Sequence, residues 1–214
     1  MQHVFLIGAK SLGAYGGYET FVNKLTEYHQ LNGKIKYHIA CKANGDGSMD
    51  ESKLDGVSEI KREKKGSVIE FTYHNARCFN IGAAQAIYYD IKALIECCKY
   101  IEKNQINQPI IYIMACRIGP VIAYFKKKIC KLGGKIYLNP DGHEWMRSKW
   151  SKPIRIYWKE SEKMMVKSSD LIICDSVNIE KYIHCCYDKF SKKKLKTTFI
   201  AYGAETRKSI LSDD

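Results

Sequence analysis

The stretch Asn139-Pro140-Asp141-Gly142-His143-Glu144-Trp145-Met146-Arg147-Ser148-Lys149-Trp150 concentrates reactive side chains. Asn-Pro-Asp-Gly is strong turn chemistry: proline fixes φ, while Asp and Gly accept backbone angles that other residues avoid. Two carboxylates, Asp141 and Glu144, stand beside two cations, Arg147 and Lys149. Trp145 and Trp150 offer flat apolar faces that could stack on a sugar or cover a cleft. The competing reading is a surface turn whose tryptophans pack on the domain and whose charges pair locally. His143 taken singly reads as a structural or surface histidine.

A second stretch, Gly13-Ala14-Tyr15-Gly16-Gly17-Tyr18-Glu19-Thr20-Phe21, follows the apolar run Val4–Gly8. Glycines between a first strand and a first helix let a ligand approach the backbone, and the helix N-terminus behind them favours anions. The spacing is not that of a dinucleotide-binding loop, because Gly8 and Gly13 are five apart and Cys41-Lys42 stands where an acid would hold a ribose. It is not a triphosphate P-loop either, since Ala14-Tyr15 replaces Lys-Ser/Thr. A Gly16-Gly17 pair before a helix remains, with a ligand-free tight turn as the alternative.

Nine cysteines include the adjacent pairs Cys97-Cys98 and Cys185-Cys186 but no C-x-x-C spacing, so reduced thiols and no metal site are expected. The formal charge of +12 gathers in lysine runs at Lys61–Lys65, Lys126–Lys128 and Lys189–Lys196, which suit polyanions, anionic membranes or phosphate-bearing substrates. No apolar run reaches the roughly 20 residues of a membrane span, and the N-terminus lacks the marks of a signal peptide. A cytoplasmic location is expected, with peripheral attachment to the cytoplasmic face of the membrane a further expectation.

These side chains need a scaffold that converges them. Strands are expected at Val4–Gly8, Tyr37–Cys41, Ser67–Tyr73, Ile110–Ala115, Lys135–Leu138, Leu171–Cys174 and Thr197–Ala201. Helical three-four spacing runs between several of them, as at Ile87, Tyr88, Ile91, Leu94, Ile95, Cys98 and Ile101. Pro120 marks a helix start, and Gly133-Gly134 its end. The alternation predicts an α/β fold: a Rossmann-like, doubly wound, mainly parallel sheet of about seven strands in one domain. Every strand-to-helix loop then lies on one sheet edge, bringing the glycine pair, Arg117 and the Asn139–Trp150 segment together.

Taken in order, GAYGGYETFVNKL, CRIGP, NPDGHEWMRSKW, DLIICDSVNIEKYI and FIAYGAET resemble the N-terminal domain of bacterial GT-B glycosyltransferases. The resemblance is to glycosyltransferase family 4, of the rhamnosyltransferase type that serves capsule and exopolysaccharide assembly. It implies an acceptor-side domain over 1–206, with 207–214 beginning an interdomain connection. By the same resemblance, Gly16 and Gly17 face a donor diphosphate across a cleft. Asp141 and Glu144 are the candidate catalytic carboxylates, Asp141 matching the position that contacts the transferred sugar. Tyr18, Glu19, Arg117, His143, Trp145, Arg147 and Lys149 would shape the acceptor side. Retention of anomeric configuration, no metal and no cofactor are implied, the donor being a dTDP- or UDP-linked sugar as substrate. The acceptor would be a lipid-linked saccharide at the inner-membrane surface. His143 departs from the family, which commonly has an aliphatic residue there.

The acidic pair of the donor-binding half has no place before Asp214, so the chain is expected to be inactive without that domain, supplied in cis or by a split partner. From Pro153, an apolar stripe of Ile154, Tyr157, Trp158 and Met165, opposite Arg155, Lys159, Glu162 and Lys163, suggests either an interfacial helix or one packed on the sheet. The rivals are a basic polyanion- or nucleic-acid-binding module, for which no specific nucleic-acid motif appears, and a nucleotide-dependent oxidoreductase.

Overall fold

A computed structural model describes residues 1–12, 16–30, 34–42, 84–191, 194–201 and 203. Six strands form one sheet: β1 (Gln2–Ile7), β2 (Ile35–Ile39), β3 (Ile110–Met114), β4 (Lys135–Asn139), β5 (Leu171–Cys174) and β6 (Thr197–Phe199). Their order is β2-β1-β3-β4-β5-β6, and all five pairings are parallel. The expected doubly wound architecture is therefore present, with six strands among the described residues where about seven are expected in the chain. The expected strand Ser67–Tyr73 lies outside the described residues.

The two central strands explain why the sequence shows continuous apolar runs rather than alternation. Phe5, Leu6 and Ile7 of β1 and Ile111, Ile113 and Met114 of β3 are all fully buried, as strands covered on both faces must be.

Among the described residues five helices flank the strands: α1 (Gly17–Gln30), α2 (Ala84–Lys103), α3 (Gly119–Lys131), α4 (Lys152–Ser168) and α5 (Val177–Tyr187). Pro120 opens α3 without losing a hydrogen bond, because the first N–H groups of a helix have no partner within it. Gly133, at φ +71°, follows its C-cap Leu132. Within α2 the apolar spacing holds, with Leu94, Cys98 and Ile101 buried and Ile87, Ile91 and Ile95 packed against the core.

In α4 the packed alternative holds, since Trp158 and Met165 are buried against the domain, but the expected faces need correction: Glu162, expected on the polar side, is turned inward and 3% exposed, and Ile154, expected in the apolar stripe, is exposed. Ile156 and Met164 point outward instead. No helix among the described residues is long and apolar enough to cross a membrane.

The chain steps from β1 outward to β2, then back past β1 to β3, and continues in one direction to β6. Loops leaving β1 and β3 therefore diverge at their carboxyl ends, which is where open parallel sheets form a crevice. Gly8 ends β1 at φ +121°, and a Cβ there would lie 2.5 Å from the Met114 carbonyl oxygen. Only glycine lets the two strand ends approach this closely.

Candidate functional site

At that crevice the loop after β3 carries Arg117. Its Nη1 donates to Asp90 Oδ2 at 3.0 Å and lies 3.4 Å from the Gly8 carbonyl, while its guanidinium carbon sits 5.8 Å from the centre of the Tyr18 ring. Asp90 comes from the apolar face of α2 and is wholly buried. Burial pushes its carboxyl up in pKa, against the pull of Arg117. Burial acts to lower the Arg117 pKa, but Asp90, then Tyr18 and Asp141, raise it past the ordinary value. The guanidinium is thus a fixed cation at the floor of the crevice. The backbone behind it is anchored from α4: Tyr157 Oη donates to the Arg117 carbonyl at 2.8 Å, and Ser161 Oγ to the Cys116 carbonyl at 2.6 Å.

The loop after β4 supplies the second wall. The Asn139 side chain accepts from the Asp141 amide at 2.9 Å and holds Asp141 in the left-handed region, φ +60°. Aspartate tolerates that region better than most residues. Across the crevice Ala115 is also left-handed, φ +72°, its amide donating to the Asn139 carbonyl at 2.9 Å. Alanine there is under backbone strain, and it lies on the site itself.

Between these walls is a cleft of about 260 Å³ lined by Arg117, Asp141, Glu144, Trp145, Arg147 and Glu162, among others. Glu144 begins a short 3-10 turn and is occupied on both oxygens. Oε1 accepts from Trp150 Nε1 at 2.8 Å and lies 3.3 Å from Lys149 Nζ, and Oε2 lies 2.9 Å from Arg147 Nε. Trp150 packs on Trp158, ring centres 6.1 Å apart. Lys159 Nζ sits 3.6 Å from the centre of the Trp145 ring, whose indole N–H donates to Tyr182 Oη at 3.0 Å.

The sequence-predicted residues thus divide. Arg117, Asp141, Glu144, Trp145 and Arg147 line one cleft, and Lys149 is tied to it through Glu144. His143 lies edge-on to Tyr182 at 4.0 Å between ring centres, outside the cleft lining. On the β1 side, Glu19 folds back to accept from the Lys10 amide at 2.8 Å, and a Cβ on Gly16 would fall 2.1 Å from Glu19 Oε2. Glu19 is a loop brace in this arrangement. Gly17 has open space where a side chain would stand.

Asp90 and Glu162 were not singled out from sequence as site residues. Glu162 Oε1 accepts from Tyr182 Oη at 2.5 Å and from Tyr187 Oη. Burial raises its pKa, while the two tyrosine hydroxyls, His143 and Lys159 act to lower it. The signal for both was an acid on an apolar helix face: Asp90 between Ile87 and Leu94, Glu162 between Trp158 and Met165. Cys116 adjoins the site as a neutral thiol, its pKa raised by burial first and by Glu162 and Asp141 next. Among the described residues no three His, Cys, Asp or Glu side chains converge as a metal site would require.

A family model described as "Domain of unknown function (DUF1972)" matches residues 1–205. No curated protein matches the chain. Among solved structures, sucrose-phosphate synthase from Thermosynechococcus elongatus is similar, with a TM-score of 0.64 at 15% sequence identity. The likeness covers 95% of this chain and 49% of that one, so this chain spans about half the length of the structure it matches. At that identity the finding is one of fold, and it agrees with the Rossmann-like half of a GT-B architecture.

Proposed function

We propose that this chain, which belongs to the DUF1972 family, is the acceptor-side half of a GT-B glycosyltransferase. The observation that carries the reading is the convergence of Arg117, Asp141 and three tryptophans on one cleft at the carboxyl edge of a parallel sheet. The reaction would join an acceptor hydroxyl oxygen to the anomeric carbon of a nucleotide-sugar. The bond to the diphosphate breaks with its electron pair leaving on phosphate, and the hydroxyl proton passes to that leaving group on the same face, retaining configuration without a metal.

In this reading Asp141, presented by the Asn139 turn, orients the reacting hydroxyl. Glu144, already bonded to Trp150, Arg147 and Lys149, holds the acceptor wall in shape. Gly17 leaves the α1 N-terminus open to the donor diphosphate. The donor would be a dTDP- or UDP-linked deoxyhexose such as rhamnose, and the acceptor a lipid-linked saccharide. Asp141, Glu144 and Glu162 face Arg117 and Arg147 on the cleft walls, a mixed lining without the basic excess that a polyanion site calls for.

A membrane-borne acceptor calls for a bilayer-facing surface. Support comes from Lys163, Lys167 and Lys189, whose ammonium groups lie 4.6, 5.5 and 5.1 Å from the ring centre of the half-exposed Phe190.

The test is to join the chain to a donor-binding domain and follow transfer from a nucleotide-sugar to a lipid-linked saccharide. Asp141→Asn keeps a residue suited to left-handed backbone and should lower the rate about a hundredfold with an unchanged thermal midpoint. Full activity in that variant would remove Asp141 from the reaction.

A further inference from the structure

The two faces of the sheet carry helices unequally. On one face Tyr100 of α2 packs on Phe5, Thr197 donates to Glu180 of α5, and α3 and α4 lie packed between those helices. Ile111, Ile113, Ile136, Leu138 and Ile172 beneath them are at most 1% exposed. On the opposite face the helix present among the described residues is α1, whose Phe21 meets Tyr112 edge-on at 6.3 Å. Tyr137, Leu171 and Ile173 stand on that face and are only half-buried, and Ile200, just past β6, is 54% exposed. A groove of about 270 Å³ opens there, walled by Phe21 and Leu25 of α1 and floored by Ile110, Tyr112, Tyr137 and Ile173. Parallel sheets are covered on both faces, so an apolar floor of this extent marks a docking surface.

Dimensions and charge say what fits. Three strand spacings of roughly 4.8 Å separate β3 from β6, room for one helix about 10–12 Å wide. The five-residue strands β3 and β4 match a helix of about 11 residues in length. A single hydrocarbon chain would leave most of that floor wet. The rim is basic: Lys135 shares the row of Ile110, and Lys196 lies two positions before Thr198, which shares the row of Ile173. Both lysines are exposed, and no acid among the described residues lines the groove. A second copy of the chain, itself carrying +12, would bring like charge to that rim.

We propose that this face docks an amphipathic helix of a partner protein, its apolar stripe on Tyr137 and Ile173 and its acidic flank on Lys135 and Lys196. The groove ends at Asn139, whose side chain accepts from the Asp141 amide at 2.9 Å. The seated helix therefore abuts the residue that holds the Asp141 turn. The docking surface does not rest on the saccharide reading of the cleft.

The test titrates the full chain into fluorescein-labelled synthetic peptides of about 14 residues. One has a leucine stripe at i, i+3, i+4 and i+7 with glutamate flanks, one has lysine flanks instead, and one is a scramble of the first. Anisotropy should show saturable binding of the glutamate peptide, at least tenfold tighter than of the other two. Ile200→Ser should weaken it about tenfold, and Lys135→Glu with Lys196→Glu should turn the preference toward the lysine peptide. All three positions are exposed, so the fold should be kept, which circular dichroism checks. Equal binding of the three peptides, or of none, overturns the proposal, as does undiminished affinity in both variants. Sedimentation of the chain alone that shows a dimer broken by Ile200→Ser would assign the face to a second copy. Loss of peptide binding once a donor-binding domain is joined would assign it to that domain. Either result overturns the separate partner, and undiminished binding in the two-domain protein supports it.

Discussion

Arg117 and Asp90, on different elements 27 positions apart, meet at 3.0 Å beneath the crevice, with Asp90 wholly buried and the Arg117 side chain 18% exposed. A buried pair of this kind gains little over apolar packing, but removing one partner strands the other charge. Asp90→Ala should therefore cost about 3–5 kcal/mol in urea denaturation. The double variant Asp90→Leu with Arg117→Met should recover most of that loss while abolishing transfer in the two-domain protein. If the double variant is no more stable than the single one, the charge argument fails.

The glycines of the β1 end should separate into structural and functional kinds. Gly8→Ala places a methyl group 2.5 Å from the Met114 carbonyl oxygen at φ +121°, and should cost about 3 kcal/mol. Gly17→Ala meets nothing within 4 Å and should leave stability unchanged or raise it by about 0.5 kcal/mol. If Gly17 serves a donor diphosphate, the same substitution raises the donor KM in the two-domain protein. Thermal melts and steady-state kinetics read the two effects separately. A large loss of stability in Gly17→Ala would make that glycine structural.

Much of this arrangement could be read in the sequence because local chemistry dictates it. Continuous apolar runs mark β1 and β3, and Asn139-Pro140-Asp141-Gly142 announces the turn that presents Asp141. What stayed hidden are the inward-turned acids. Periodicity assigns a carboxylate to solvent unless its partner is known, and these partners are distant or main-chain. Asp90 needs Arg117 across 27 positions, and Glu162 needs Tyr182 and Tyr187 across 20 and 25. Glu19 is satisfied by the amide of Lys10, a partner that residue types do not reveal.

Away from the site, His38 sets an acid limit on stability. It is 2% exposed, stacked on Phe5 at 4.3 Å, and its Nε2 lies 2.9 Å from His3 Nδ1, a bond that needs one ring to donate and the other to accept. Burial, then the neighbouring His3 and Lys36, lower its pKa to about 3. An unfolded histidine titrates near 6.5, so between about pH 6.5 and 3 the unfolded chain binds a proton that the folded one refuses. Stability is full above that window and falls as pH drops through it, by about 2 kcal/mol at pH 5. Urea midpoints at pH 8, 6 and 5 should show this slope in the wild type and a shallower one in His38→Phe. Parallel profiles would exclude His38 as its source.

The cluster around Phe190 makes the last prediction. Lys163 is partly engaged by Glu160 at 3.6 Å, but Lys163, Lys167 and Lys189 together surround one half-exposed ring. Cations near an anionic bilayer contribute about 1 kcal/mol each, and an inserted aromatic ring adds apolar burial. The chain should therefore co-sediment with phosphatidylcholine vesicles containing about 30 mol% phosphatidylglycerol at low salt, and release as ionic strength rises. Changing all three lysines to glutamine should lower partitioning at least tenfold, and Phe190→Ala should weaken it even where salt has screened the charges. Pure phosphatidylcholine should bind neither form. Equal partitioning of the wild type and the triple variant would move the membrane contact elsewhere. Binding to an oligonucleotide as tight as to vesicles would mark the patch as a general polyanion surface instead.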